Sequence, residues 1–387
     1  MKLLVIGLGQ CGGRIADEFA RLGVRARSER GINIITGVFA VNTDIADLSG
    51  LYTIRPDYKH RVLIGGSKTG GHGVGKINEL GAEIAREDGD KVIDALREVS
   101  RFEETDAFLL IAGAAGGTGS GAIAAVTQRL KERYAEKPIY NLVVLPFQHE
   151  EETEGRTIYN AATCLKSCYL VADAVFLVDN QRYISKNFSI KGNLANINSL
   201  IAEPFYNLLC AGEETKPQYI GSRILDAGDI IQTLSGWTVI GYSRSRRERM
   251  KNPFDFRDKM VEGQAGIQLI NNAITELSLR CNPADAGRGL YLISAPHQDM
   301  EISLVKDIGS YLKRISPEAI IRTGDYPREK GPLNITLIFS EMTRVGKIVD
   351  YFTKTIELID LLKRKREGIQ VEHRDISDAF RDIPSLL

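Results

Sequence analysis

The 387-residue chain has no excess charge of either sign, few cysteines and no long apolar run. Its 50 Lys and Arg balance 50 Asp and Glu, so no basic surface for nucleic acid is predicted. Its five cysteines are scattered without a Cys-x-x-Cys pair, which indicates a reduced protein without a zinc site. No apolar run approaches the ~18 residues of a membrane span, and the N-terminus enters a glycine turn too early for a signal peptide. We expect a cytoplasmic protein with no nucleic-acid partner and no membrane insertion.

The first half of the chain alternates short apolar runs with amphipathic segments. Strands are predicted at residues 2–6, 34–41, 108–112, 141–145 and 174–178. Helices are predicted at 12–22, 75–86, 90–100, 122–134 and 157–171, and residues 25–33 are interpreted as an insert. Such βα repetition forms a parallel sheet covered on both faces, with ligands at the carboxyl ends of its strands. We predict an α/β, Rossmann-like domain over residues 1–192.

The pattern changes in the second half. Residues 193–217 are predicted to form a long central helix and a loop, with Pro204 kinking or breaking the helix. Strands at 237–242, 289–295, 319–323 and 334–339 and helices at 263–280 and 301–314 predict a smaller α+β C-terminal domain with a four-stranded sheet, over residues 218–341. Residues 342–387 read as a charged helical tail, interpreted as an amphipathic surface helix.

One glycine-rich run lies between a predicted strand and a predicted helix. It reads Gly-Ala-Ala-Gly-Gly-Thr-Gly-Ser-Gly over residues 113–121. Such a run lets the backbone approach an anion and directs N–H groups and a helix N-terminus at it. The plainer alternative is a strained turn that packs helix on sheet. The candidate phosphate contacts are Gly113, Gly116, Gly117, Thr118, Gly119, Ser120 and Gly121.

A second glycine loop closes the first strand. Its candidate contacts are Gly9, Gln10, Cys11, Gly12 and Gly13, within a Gly-x-Gly-x-x-Gly pattern. This pattern alone is weak, and an NAD(P)-dependent oxidoreductase, with Asp44 on the ribose, is an alternative. Such an enzyme does not need a second phosphate loop, however. A Walker motif is excluded because no glycine loop is followed by Lys-Ser or Lys-Thr at the required spacing.

Polar residues end the second predicted strand, and a third glycine loop follows them. Asn42 and Asp44 are candidate contacts, and Asp44 either caps a helix or holds Mg²⁺ through water. In the loop at residues 65–75, the candidate contacts are Gly70 and Gly71. Lys68 in the same loop either contacts a terminal phosphate or is solvated.

Four further polar groups complete the candidate set. Glu154 precedes a helix and is placed to accept hydrogen bonds from ribose hydroxyls. The amides of Asn180 and Asn198 suit the donor and acceptor edge of guanine, or else act as caps. Asp226 and Asp229 either cap the helix that follows or polarise an attacking water. Their spacing does not decide between the two roles.

The ordered set resembles the tubulin/FtsZ superfamily of cytoskeletal GTPases over roughly residues 1–340. The resemblance rests on Gly9-Gln-Cys-Gly-Gly, Val41-Asn-Thr-Asp, the run at 113–121, Glu154-Gly155, Asn180, Asn198 and Asp226-x-x-Asp229. Within the superfamily the chain is most similar to the archaeal CetZ group. This rests on Val62-Leu-Ile-Gly65, on residues 71–83 and on residues 224–236.

The resemblance implies a GTPase that binds GTP or GDP with Mg²⁺ and polymerises head to tail with copies of itself. GTP would lie on the glycine loops, and Asp226 and Asp229 of the next subunit would complete the site as its catalytic residues. The family's usual aromatic residue near the guanine is replaced by Leu194. The base is therefore contacted by Leu194 or by Phe188, or else it is bound in a looser site. The chain has no long linker with an adaptor peptide, so control of cell shape fits better than a division ring. A GTP-binding regulatory or structural subunit with little hydrolysis remains a third reading.

Overall fold

The computed structural model describes residues 1–184, 190–245, 256–367 and 382–387. The strands are β1 (Leu3–Leu8), β2 (Ile35–Asn42), β3 (Arg61–Leu63), β4 (Ala107–Gly113), β5 (Ile139–Leu145), β6 (Ala174–Asp179), β7 (Gly236–Arg244), β8 (Ala286–Pro296), β9 (Ile320–Arg328) and β10 (Asn334–Met342). The helices are α1 (Gly9–Arg30), α2 (Ile45–Ser49), α3 (Gly66–Thr69), α4 (Asn78–Glu87), α5 (Gly89–Arg97), α6 (Thr118–Arg133), α7 (Gln148–Thr153), α8 (Thr157–Val171), α9 (Ile190–Ala211), α10 (Ala227–Thr233), α11 (Phe256–Thr275), α12 (Ile302–Ile315) and α13 (Gly346–Glu367).

The ten strands of the described residues form one sheet, in the order β3-β2-β1-β4-β5-β6-β7-β10-β8-β9. The strands from β3 to β7 are parallel, and β10 is antiparallel to both β7 and β8. The predicted fold class, a mostly parallel α/β sheet continued by a smaller α+β unit, is confirmed. We call the edge where β1, β2, β4, β5 and β6 end the carboxyl edge, and the edge where they begin the amino edge.

Both faces of the sheet are buried, which explains the continuous apolar strands. Leu4 and Ile6 of β1 face a core shared with α4, α6 and α8, whereas Leu3 and Val5 face a second core shared with α1 and α9. Successive side chains of a strand point to opposite faces, so a strand covered on both sides needs apolar residues throughout.

The predicted end of the first helix at residue 22 was wrong. Helix α1 continues through part of the interpreted insert to Arg30, and Arg25 in this extension pairs with Glu203 of α9 at 2.8 Å. The helix ends at Gly31, whose φ of 75° stops it. Of the two effects expected of Pro204, the break does not occur, because α9 continues past it as one helix to Ala211 and packs against both α1 and the sheet. Strand β3 was missed because three residues carry too little periodicity.

The C-terminal region packs on the molecule more closely than a surface helix would. In α13, Tyr351 is 1% exposed and Ile348 is also buried. The last described residues lie on α8, where the Lys166 ammonium donates to the Ile383 carbonyl at 2.5 Å. Within the four described ranges, no helix is both long enough and apolar enough to cross a bilayer.

Candidate functional site

Two glycine loops lie against each other at the carboxyl edge. Gly9 has φ of +69°, and a Cβ added to it would stand 2.8 Å from the backbone nitrogen of Gly119. A Cβ on Gly119 would in turn stand 2.6 Å from the carbonyl oxygen of Leu8. Side chains at these positions would separate the loops, so glycine is required for their close approach. Glycine is also required at position 12, where a Cβ would stand 2.0 Å from the carbonyl oxygen of Ile111 in β4.

The run at 113–121 contains one glycine that packing does not explain. A Cβ on Gly117 would lie 2.5 Å from Val74, and one on Gly121 would lie 2.1 Å from the Asn78 carbonyl oxygen. A Cβ on Gly116 would meet nothing within 4 Å. Gly116 therefore borders open space beside the start of α6, where a bound anion has room.

A buried asparagine that sequence reasoning missed supports this run from below. Asn160 of α8 is fully buried, and its amide donates to the carbonyls of Lys76, Ala115 and Gly116 at 3.0–3.2 Å. Its side-chain oxygen has no hydrogen-bond partner in the described part of the chain. Several other buried residues of α8 are also polar, among them Thr157, Thr163 and Ser167, so Asn160 does not stand out in the sequence.

Hydroxyl and amide groups connect the loops at the carboxyl edge. Thr43 and Thr118 share a buried hydrogen bond of 2.6 Å between their hydroxyls, and Ser120 donates its hydroxyl to the Gly116 carbonyl. Asp47, also missed, accepts from Gln10 at 2.6 Å and from Asn42 at 3.1 Å. The predicted contacts Gln10, Asn42 and Thr118 are thus brought together at one place.

Asp44 is the N-cap of α2, where its carboxylate accepts from the backbone of Ala46 at 2.8 Å and of Asp47 at 3.1 Å. Both of these bonds use one oxygen, so the other oxygen remains available for a water on a metal ion. The structure thus shows the cap and is compatible with a metal role through water. Among the described residues, no group of three His, Cys, Asp or Glu side chains forms a metal cluster.

The third glycine loop approaches Asp44, but its lysine does not. Gly70 and Gly71 have φ of 61° and 81°, and the loop pairs with Asp44 through an isolated bridge at His72. The Lys68 ammonium pairs instead with Glu83 and, at 2.7 Å, with Glu87. These two carboxylates of α4 hold Lys68 away from Asp44, and its suggested contact with a terminal phosphate stays a prediction.

Cys11 lies beside Gly113, where an added Cβ would stand 3.1 Å from the Cys11 Cβ. Burial raises the pKa of the Cys11 thiol to about 12, with nearby Glu150 adding to the rise. At neutral pH this side chain is therefore an uncharged thiol that packs against the loop. The thiol does not place a negative charge beside the glycine loops.

The remaining nucleotide candidates lie at the ends of β5 and β6 and on α9. Glu154 follows α7 and pairs with Lys76, the residue directly after the third glycine loop. Asn180 follows β6 directly, and the turn it starts contacts α9, which carries Asn198. Among the described residues, neither asparagine amide has a hydrogen-bond partner within the chain. Leu194 is half-buried, and Phe188 lies outside the described residues.

Asp226 and Asp229 lie at the opposite edge of the sheet. Asp226 is the N-cap of α10 and accepts from the Asp229 backbone at 2.9 Å, so the capping prediction is confirmed. Helix α10 leads into β7, whose first residue pairs with the first residue of β6. The two carboxylates are therefore at the amino edge, whereas Asn180 follows the other end of β6. The six residues of β6 alone span about 20 Å.

The loop before Asp226 is hydrogen-bonded to β9. The Asp325 carboxylate accepts from the backbone of Ser222 at 2.8 Å and of Arg223 at 2.6 Å. A Cβ on Gly221 would stand 1.9 Å from the Asp325 carbonyl oxygen, so the loop lies directly on β9. Asp226 is exposed, and Asp229 is 38% exposed with Arg322 beside it.

Two family models together match most of the chain. The Tubulin/FtsZ family GTPase domain matches residues 2–186, and the Tubulin-like CetZ C-terminal domain matches residues 187–357. The tubulin-like protein CetZ1 of Haloferax volcanii is 33% identical over 387 residues, covering 95% of each chain. CetZ of Pyrococcus furiosus is 28% identical over 376 residues, covering 95% of this chain and 93% of its own.

Solved structures agree with these matches. The GDP-bound monomer of CetZ1 from Haloferax volcanii has a TM-score of 0.79 and 30% identity, and covers 93% of this chain and 100% of its own. The GTPγS-bound protofilament of CetZ2 has a TM-score of 0.80 and 29% identity, and covers 94% and 100%. The fold and the glycine loops thus define a tubulin/FtsZ-like protein. Within that superfamily, the chain belongs to the tubulin-like CetZ family.

Proposed function

We propose that this protein is a cytoskeletal GTPase that polymerises head to tail and hydrolyses GTP between subunits. The observation that carries the proposal is the separation of the two half-sites. The glycine loops lie at the carboxyl edge, and Asp226 and Asp229 lie at the amino edge of the same sheet. One subunit cannot bring them together, but the amino edge of one copy can close the carboxyl edge of the next. A contact of this kind that does not close into a ring gives an open filament.

At the carboxyl edge, GTP has a matching group for each of its parts. The phosphates would lie on the backbone of residues 9–13 and 113–121, at the N-terminal ends of α1 and α6. Glu154 would bind the ribose, and the free amides of Asn180 and Asn198 would bind the edge of guanine. The GDP and GTPγS named for the two CetZ structures support a guanine nucleotide.

The residues present also fit a magnesium ion. Asp44, with one oxygen free of its capping role, would hold the ion through water together with phosphate oxygens. The ion supplies charge neutralisation of the phosphates. Asp226 of the next subunit would orient the attacking water and accept a proton from it. The role of the filaments that we propose is control of cell shape, in keeping with membership of the CetZ family.

The test is a light-scattering and phosphate-release assay with GTP over a range of protein concentrations. We expect turnover per molecule to rise with protein concentration and to follow the scattering signal, because each active site needs two subunits. Turnover that does not depend on concentration would contradict the interface mechanism. Binding of GTP without turnover would instead favour the regulatory subunit.

A further inference from the structure

Helix α13, which the proposed function does not use, reaches the loops that would hold the nucleoside. The Lys347 ammonium lies 2.9 Å from a carboxylate oxygen of Asp179 and 3.4 Å from one of Glu151. The two carboxylates are only 13% and 14% exposed, and Lys347 is 24% exposed. One ammonium group thus pairs with two largely buried carboxylates. Removing it would leave both of their negative charges uncompensated in a poorly solvated site.

The two acids adjoin the proposed guanine and ribose contacts. Asp179 immediately precedes Asn180 and accepts from the backbone of Gln181 at 3.1 Å. Glu151 lies in α7, which ends one residue before Glu154. The Gln181 side chain also accepts from the backbone of Gln148 at 3.2 Å, so the two segments are already bonded to each other.

Lys347 stands in the first turn of α13, where a positive charge opposes the helix dipole. The carboxylates of Asp179 and Glu151 offset this unfavourable position. One turn further along, the buried Tyr351 hydroxyl donates to the same Glu151 carboxylate. Burial and this hydrogen bond raise the pKa of Tyr351, so its hydroxyl remains a donor. Two side chains of α13 therefore hold Glu151.

We propose that Lys347 is a positioning residue for nucleoside binding, which couples the C-terminal helix α13 to the occupancy of the nucleotide site. Lys347 fixes Asp179 and Glu151, and through them the backbone that carries Asn180 and Glu154. The proposal rests on the proposed function, because it assumes that these two residues bind guanine and ribose. Since coupling is reciprocal, nucleotide binding also tightens the docking of α13.

The test is the dissociation constant of GTP, measured by calorimetry on the full-length protein carrying Lys347→Gln. We expect a rise of roughly tenfold, the usual size of a coupling between contacting groups, with turnover at saturating GTP unchanged. A merely structural lysine would not give this split between affinity and turnover. Lys347→Arg keeps the charge and should recover most of the affinity.

Lys354 provides the matched control, because it lies on α13 and lines the same surface pocket as Lys347 and Glu151 but is exposed. Lys354→Gln should leave the dissociation constant unchanged, and equal values for the two Gln variants would overturn the proposal. If Lys347→Gln does not fold, Tyr351→Phe carries the test, with an expected rise of about threefold, and an unchanged value would overturn it. A wild-type protein that binds no guanine nucleotide would refute the proposed function itself.

Discussion

Asp229 and Arg322 form an ion pair between α10 and β9, with 3.4 Å between a carboxylate oxygen and the guanidinium Nε. The same guanidinium donates to the Gln232 side chain at 2.6 Å, so it holds α10 at two points. Within the described residues, no cation pairs with Asp226. The two carboxylates therefore differ in their electrostatic surroundings, because Arg322 offsets the charge of Asp229 and no described cation offsets that of Asp226.

Because Arg322 contacts both Asp229 and Gln232 of α10, we predict that it positions this helix, which carries a proposed catalytic residue. We expect Arg322→Gln to lower assembly-dependent turnover roughly tenfold while GTP affinity is kept, because α10 loses an anchor at the subunit contact. Phosphate release at saturating GTP measures the change. Lys306→Gln, at an exposed position on α12, is the control and should behave as the wild type. A fall in affinity with normal turnover would assign Arg322 to another role.

Asp226 should matter for hydrolysis and not for binding. Asp226→Ala should keep the GTP dissociation constant and lower turnover by ~10²–10⁴, the usual contribution of an acid–base group. The measurements are calorimetry for binding and phosphate release for turnover. Weakened binding with normal turnover per bound nucleotide would refute the assignment.

A mixing experiment tests whether the site is shared between subunits. Gly116→Ala should disable the phosphate loop but keep Asp226, whereas Asp226→Ala keeps the loop. In a mixture of the two variants, the intact amino edge of one meets the nucleotide of the other, so turnover should exceed that of either variant alone. A mixture with no gain, under conditions in which both variants enter filaments, would argue against a shared site.

Gly116 and Gly121 should respond differently to the same substitution. Gly121→Ala forces a Cβ to 2.1 Å from the Asn78 carbonyl, so a loss of about 1–3 kcal/mol or more in unfolding free energy is expected. Gly116→Ala meets no protein atom, so stability should be kept while GTP affinity falls. Urea unfolding and calorimetry separate the two effects. A Gly116→Ala variant that keeps both its stability and its GTP affinity would mean that Gly116 has no ligand-binding role.

The thiol of Cys11 should react slowly with iodoacetamide. With its pKa raised to about 12, it carries little thiolate at pH 8, whereas a free cysteine titrates near 8.5. The alkylation rate of the native protein should rise about tenfold per pH unit from 7 to 10 without a plateau. Peptide mass spectrometry follows the rate, with the unfolded chain as control. A plateau near pH 9 would contradict the burial of this thiol.

The order and type of the main elements could be predicted from the sequence because their signals are local. The apolar run at residues 108–112 predicts a buried parallel strand, and the glycine run that follows it predicts a phosphate-binding turn. Partners far apart in the chain leave no such signal. Asn160 was missed because only the fold brings it under the loop at 113–121. Asp47 was missed because only the fold places it between Gln10 and Asn42.

The sequence by itself determined the α/β class, the glycine loops and, through its motifs, the family, since strand and turn preferences depend on neighbouring residues. Only the tertiary structure decided where the pieces lie relative to one another. Parallel pairing of β6 with β7 puts Asp226 at the edge opposite Asn180, and the packing of α13 brings Lys347 to Asp179. Those distances depend on sheet order and helix packing, which bring together residues far apart in the chain, such as Lys347 and Asp179 at 168 positions.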